Sequence, residues 1–198
     1  MAEERQLTRR GQERRERLLA YATERFAEKG YHPTSVSDIV DGVGVGKGVF
    51  YWYFESKDQL LIEILREALR DLRTTQAAAI ADASDPLQRL EAGIRASIDW
   101  SVENRNIIRL VMFGWSEEQF AEVLRKGREI VIVDTARLIE QAADLGQIMS
   151  GNPTMMALAI RAVIDQLGQE YALTDGSIEP DPEMVETTVR MCLRGVRG

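Results

Sequence analysis

The sequence predicts an all-α protein of about nine helices, with an N-terminal three-helix unit built on a helix-turn-helix and a C-terminal helical bundle. Three observations predict it. Apolar residues recur three and four apart through nearly the whole chain, the spacing of one helix face. Alternation of period two is missing over any useful length. Three Asp/Asn-Pro steps, Asp85-Pro86, Asn152-Pro153 and Asp181-Pro182, precede periodic stretches. Proline at a first helical position sacrifices nothing, because that N–H is unpaired anyway.

Each element follows in order. "RERRERLLAYATERFAEKG" sets Leu18, Ala22 and Phe26 on one face with Leu19 beside them, and Gly30 closes the helix at a left-handed cap. Ser35 caps the next helix, with Asp38 three residues on in the sense that suits a helix N-terminus. Gly44 breaks that helix, and a short third one runs from about Gly46 to Tyr53. Ser56 and Gln59 form an S-x-x-Q capping box for a long helix with Leu60, Ile64, Leu65, Ala68 and Leu72 as its buried stripe. The Pro86 helix, a short "NIIRLVMFGW" helix, a long "EEQFAEVLRKGREIVIVDTARLIEQAADLGQ" helix closed by Gly146, and the Pro153 and Pro182 helices complete the chain. "TDGSIEPD" is the one conspicuous linker.

The 198 residues include 44% hydrophobic and 29% charged, an ordinary globular balance. A single cysteine, Cys192, excludes an intrachain disulfide, and with His32 as the only histidine a Cys/His zinc site is excluded too. No catalytic Ser/His/Asp set is possible except around His32, so no enzyme is expected, and no cofactor is implied. No uncharged apolar run approaches the ~18 residues of a membrane span, and the charged N-terminus lacks a signal peptide's apolar stretch, so the expected location is cytoplasmic. The net charge of −7 is unevenly spread. Residues 1–57 carry 10 Lys/Arg and 9 Asp/Glu, while the remainder carries 15 and 23, so +1 stands against −8. Six arginines crowd into Arg5–Arg17. Local basicity suffices for nucleic acid, since phosphate contacts act within about a Debye length of ~10 Å.

"DGVGVGKGVFYWYFESK" invites two readings. A phosphate-binding loop requires G-x-x-x-x-G-K-[ST]. Counting back from Gly46-Lys47, its first glycine falls on Asp41, and Gly48 follows the lysine without a hydroxyl. A dinucleotide G-x-G-x-x-G fails at Lys47, and no strand precedes the segment. The helix-turn-helix reading fits: two short helices flank Gly44, and Val45 plugs the corner. Phe50 and Phe54 lie four apart and join Ile39, Val40 and Phe26 in a small core, while Lys47, Gly48, Tyr51 and Trp52 fall on the opposite side. Exposed rings beside a cation suit a sugar-phosphate backbone.

"TSVSDIVDGVGVGKGVFYWYFESKDQLL" closely resembles the DNA-binding signature of the TetR/AcrR family of bacterial transcriptional regulators. It matches at Thr34, Ile39, Gly44, Val45, Gly48, Tyr51, Phe54, Ser56, Lys57 and Leu60 with unbroken spacing. The resemblance covers the first third of the chain. Gly46 replaces a usual Ser cap, Val49 a common Thr, Val40 and Gly42 two small positions, and Tyr53 the usual His. Gly42 is expected to loosen its helix. The resemblance implies a DNA-binding domain over residues 1–57 and an effector-binding and dimerisation domain over 58–198. It implies that Lys47, Gly48 and Val49 lie nearest base edges, with Ser37 reaching one more base. Ser35 caps beside them, and Thr34, Tyr51, Trp52, Tyr53 and Lys57 hold phosphates. Two positions carry a second reading: Tyr53 as a core residue with its hydroxyl outward, and Trp52 as a ring packed on the first helix.

The same resemblance implies a homodimer on a palindromic double-stranded DNA operator, because one such module binds weakly and two recognition helices must sit one turn, ~34–36 Å, apart. The family dimerises through its last two helices. Here the stripes Ile160, Ile164, Leu167 and Tyr171, and Val185, Val189 and Cys192, are expected to serve both that contact and the chain's own core, with the small Ala159 and Ala162 alongside. A small, largely apolar effector is implied inside the C-terminal helices. Trp100, Met112, Phe113, Trp115 and Phe120 suit an apolar pocket, and Arg109, Gln166 and Glu170 are candidates to orient a ligand. The expected function is a ligand-responsive DNA-binding regulator, most often a repressor. The alternatives are a helical protein-interaction module or a regulator without an effector.

Overall fold

The computed structural model describes residues 8–174 and 181–197. Nine α-helices and no strand are found among them: α1 Arg9–Lys29, α2 Val36–Val43, α3 Lys47–Tyr53, α4 Lys57–Ile80, α5 Pro86–Glu103, α6 Arg105–Ser116, α7 Glu118–Asp144, α8 Pro153–Leu173 and α9 Pro182–Arg197. Arg5 and residues 175–180 of the expected linker lie outside the described residues.

The caps follow local chemistry. Ser35 and Asp38 form a reciprocal capping box at α2. Asp85 accepts from Leu87 N at 2.9 Å, Asn152 from Met155 N at 3.1 Å, and Asp181 from Glu183 N at 2.9 Å, so all three Asp/Asn-Pro steps do cap helices. Two expectations change. Ser56 accepts from Gln59 N at 3.0 Å, but the Gln59 amide turns to Glu63 at 3.4 Å, so only half of the predicted box forms. Gly30 has a positive φ of 87° but a ψ of 156°, outside the left-handed helical well.

Two compact units meet in sequence between Leu65 and Arg66, not at 57/58. The reason is burial: Leu60, Leu61, Ile64 and Leu65 of α4 have almost no exposed surface. The first two turns of α4 therefore complete the N-terminal core with Leu18, Leu19, Ala22 and Phe26 of α1, Ile39 and Val40 of α2, and Phe50 and Phe54. Each of these side chains larger than Ala22 contributes roughly 1.5–3 kcal/mol on burial. Arg15 of α1 reaches Glu63 of α4 at 3.2 Å and lies over the Phe54 ring at 5.6 Å.

In the second unit α5, α6, α7 and α8 pack on one another, and α9 packs on α5 and α8. Its core holds Leu90, Ile94 and Ile98 of α5 and Ile139 of α7. It also holds Ile160, Ile164 and Tyr171 of α8 and Val185, Val189 and Cys192 of α9, with Leu167 half-buried against them. The residues expected both at a dimer contact and in the chain's own core are turned into that core within the protomer. A stripe of helical spacing marks a buried face without saying which chain buries it. The outward faces belong to Met155, Ala159, Ala162 and Gln166 on α8 and Thr187 and Met191 on α9. Burial raises the Cys192 thiol above its usual range, which suits a small hydrophobe and not a nucleophile.

Candidate nucleic-acid interface

The corner between α2 and α3 is set by Gly44, with φ 74° and ψ 39° in the left-handed well. An L side chain there is strained by its own backbone. Val45 N closes the cap on Val40 O at 2.9 Å, and the Arg17 guanidinium donates to the free Val43 carbonyl at 2.9 Å. Gly46 opens α3 with no side-chain cap bond.

Helical spacing then sorts α3. Phe50 is 0% and Phe54 2% exposed, whereas Tyr51 is 56% and Trp52 53% exposed. Lys47 and Gly48 are exposed beside them, and Val49 and Ser37 are half-buried. The outward face therefore carries a cation, an open glycine backbone and two rings. Trp52 stacks edge-on against Tyr53, with centroids 4.5 Å apart.

The remaining expected phosphate ligands are engaged within the protein. Lys57 Nζ donates to Tyr31 O and Thr34 O, both at 2.9 Å, and to His32 O at 3.5 Å, and it lies 4.2 Å from the Tyr31 ring centroid. An ammonium has three donors, so this one fastens the turn before α2. Burial lowers its pKa, opposed by Asp58. Thr34 is buried and its hydroxyl donates to Gly30 O at 2.8 Å. The Tyr53 hydroxyl donates to Gly11 O at 2.9 Å. Ser35 spends its hydroxyl on Asp38, as donor at 2.6 Å and as acceptor from Asp38 N at 3.2 Å. These four side chains shape the unit that presents α3.

Spacing alone could not reveal three further supports. Arg17 caps α2, and Tyr31 donates its hydroxyl to Asp58. The Tyr21 ring lies over Gly42, where a Cβ would come 1.9 Å from Tyr Cζ, and Arg25 Nε donates to the Tyr21 hydroxyl at 3.0 Å. Gly42 thus makes room for a ring. Of the described N-terminal arginines, Arg15 and Arg17 are engaged inside the unit, Arg9 pairs with Glu13 at 3.0 Å, and Arg10 and Arg14 are exposed.

In the second unit a cavity of about 470 Å³ brings together Trp100, Met112, Trp115 and Gln166. Four other expected pocket residues do not line it. Arg109 Nε donates to Ala172 O at 2.7 Å, Phe113 and Phe120 pair with centroids 6.1 Å apart, and Glu170 accepts from Gln166 at 2.8 Å. No group of acidic, His and Cys side chains among the described residues could hold a metal, and no described helix is long and apolar enough to cross a membrane.

A three-helix unit whose last helix projects a cation and two rings beyond a glycine corner defines a helix-turn-helix protein. The comparisons give its kind. The family of bacterial regulatory proteins named for tetR matches residues 18–64. The BetI transcriptional regulator of Agrobacterium fabrum is 30% identical over 91% of this chain and 88% of its own. The transcriptional activator FasR of Mycolicibacterium smegmatis is 28% identical over 93% of this chain and 83% of its own. A TetR/AcrR-family regulator from Thermobifida fusca has a TM-score of 0.73 at 26% identity, covering 94% of this chain and 100% of that one. The chain belongs to the tetR family of bacterial regulatory proteins and is a DNA-binding transcriptional regulator.

Proposed function

We propose that the protein is a ligand-responsive repressor that binds a palindromic operator as a homodimer in the cytoplasm and leaves it when a small, largely apolar effector occupies the C-terminal helices. The observation that carries the reading is the sorting of α3, with Phe50 inside and Lys47, Tyr51 and Trp52 outside. Lys47, Gly48 and Val49 read base edges with Ser37. Val49 packs on a thymine methyl where a hydroxyl is absent. Tyr51 and Trp52 hold phosphates. Lys57, Thr34, Ser35 and Tyr53 act one step back, by fixing the turn and the tilt of α3.

Dimerisation uses the outward faces of α8 and α9. Ala159 and Ala162 are exposed on α8 and admit a close helix approach across a two-fold axis, with Met155 and Met191 supplying apolar area. The cavity beside Trp100 and Trp115 supports an internal effector. Such a ligand acts only by preferring the protein state that fits DNA less well. α4 runs unbroken from Lys57 to Ile80, from the DNA-binding unit into the cavity wall, and is the lever for that preference.

Fluorescence anisotropy on DNA from upstream of the protein's own gene tests the reading, with the mass of the complex measured alongside. Two chains per palindrome, with affinity falling steeply in salt, support it. A helical interaction module would instead leave every duplex unbound.

A further inference from the structure

A second cavity, of about 360 Å³, is lined by α4, α5, α7 and α8, all of which, together with α6, also line the first. The two share Val131 of α7 and Arg161 of α8, which mark a waist between two halves. The halves differ in chemistry. Leu69, Leu72, Trp100, Ile108, Met112 and Trp115 wall one half, where Arg128 and Asp165 also stand as one cation and one acid. Arg73, Arg89 and Arg137 stand in the other, with Asp134 as its single acid. Arg73 and Arg137 both turn to that one carboxylate, each at 3.5 Å, and both are exposed at the mouth. Arg89 Nε is held by Ala83 O at 2.6 Å. This positive excess lies in the part of the chain, from residue 58 on, that carries 15 basic and 23 acidic residues.

The waist adds the decisive atom. Arg161 pairs through Nη2 with Asp165 at 2.7 Å, but its Nε is buried and has no partner. A buried N–H without an acceptor is a costly arrangement, which a bound oxygen relieves. Gln147 Oε1 is the other such atom among the described residues, and it lines neither half.

We infer that the two halves form one channel through the Arg161 waist and that it binds one elongated anionic amphiphile. Arg161 turns so that its Nε, closed to solvent in this structure, donates to the head-group oxygen, while the charge faces the Arg73 and Arg137 mouth and the tail lies along Trp100 and Trp115. The inference rests on the effector reading above and names the ligand class. A carboxylate and a phosphate offer the same oxygen chemistry, so both are tested.

The test is calorimetric titration of the full chain, without DNA, with dodecanoate, dodecyl phosphate and uncharged dodecanol below their micelle concentrations. At least one anion is expected to bind at one per chain, with dodecanol about tenfold or more weaker, the loss that accompanies a missing charge-assisted hydrogen bond. Arg161→Met is expected to weaken the anion about tenfold and leave dodecanol unchanged, with the helical circular dichroism retained. Arg161→Lys, which keeps charge without Nε, controls for a fold effect and is expected to bind the anion less well than wild type. Dodecanol matching both anions, an unchanged Arg161→Met variant, or no binding by any probe overturns the assignment. An operator-release arm separates the two readings. Anion binding that leaves operator affinity unchanged upholds the channel and overturns effector control.

Discussion

At the scale of single residues, the lesson lies in side chains whose type suggests a surface role and whose donors are already used. Lys57 matched the family signature and its charge pointed to phosphate, yet its ammonium is shared among the carbonyls of Tyr31, His32 and Thr34. Sequence spacing can place a lysine in the first turn of a helix, but it cannot say that a neighbouring turn aims its carbonyls at it. Lys57→Ala is therefore expected to lower stability by about 1.5–3 kcal/mol, as for hydrogen bonds to a charged group. Operator affinity falls through the loosened turn while the salt slope of binding stays the same. A denaturant midpoint and a salt titration check the two halves, and a slope lower by ~1 would return Lys57 to the phosphates. Asp38 gives a pH prediction. The Ser35 hydroxyl and backbone N–H hold its carboxyl below the ordinary 3.8. A depressed folded-state value means its stabilisation is complete above 3.8 and is lost as pH falls through the lower folded value. Acid titration of melting temperature should show less loss below pH 3.8 in Asp38→Asn, which is already weakened, than in wild type.

At the scale of elements, much was legible. The bounds of α2 and α3 follow from Ser35, Gly44 and the four-residue spacing of Phe50 and Phe54, all local signals. The Pro86, Pro153 and Pro182 starts were equally plain, because cap and proline act within one turn. What was not legible is which partner buries a stripe: Ile160, Ile164, Val185 and Val189 have the spacing of an interface and the burial of a core. Arg161 was passed over for a related reason, since an arginine four residues from Asp165 suggests an ordinary helical ion pair and gives no local sign of an unpaired Nε. Two glycine substitutions separate stability from recognition. Gly44→Ala places Cβ in open space but at φ 74°, so it should cost about 1 kcal/mol from backbone strain alone. Gly48→Ala also meets nothing within 4 Å, in ordinary helical backbone, and should stabilise by up to about 1 kcal/mol. If that backbone lies close to the duplex, as proposed, Gly48→Ala still weakens operator binding. Thermal melts and anisotropy on the same samples check both.

At the scale of the whole molecule, a chain of net charge −7 binds a polyanion because its charge is distributed by unit and its interface is local. Overall charge would have misled, and the partition at residue 57 did not. The proposed pairing of two chains would raise affinity by making the second half-site contact intramolecular. Ala159→Arg and Met155→Glu, each exposed and outside both cavities, so of little consequence to the monomer's fold, are expected to yield monomers by analytical ultracentrifugation and to lower operator affinity at least tenfold. Dimers that persist in both variants would move the contact off this face of α8.

The outward face of α3 is tested most directly by anisotropy titration of the operator with Lys47→Ala and with Tyr51→Ala/Trp52→Ala across a salt series, beside thermal melts. Removing these exposed side chains is expected to change stability by no more than about 0.5 kcal/mol each. Lys47→Ala should weaken operator binding by about 1–3 kcal/mol and relax the base preference at its contact, and the double variant should weaken binding at every salt concentration. Operator affinity and slope equal to wild type in both variants, with the fold intact, would contradict the account.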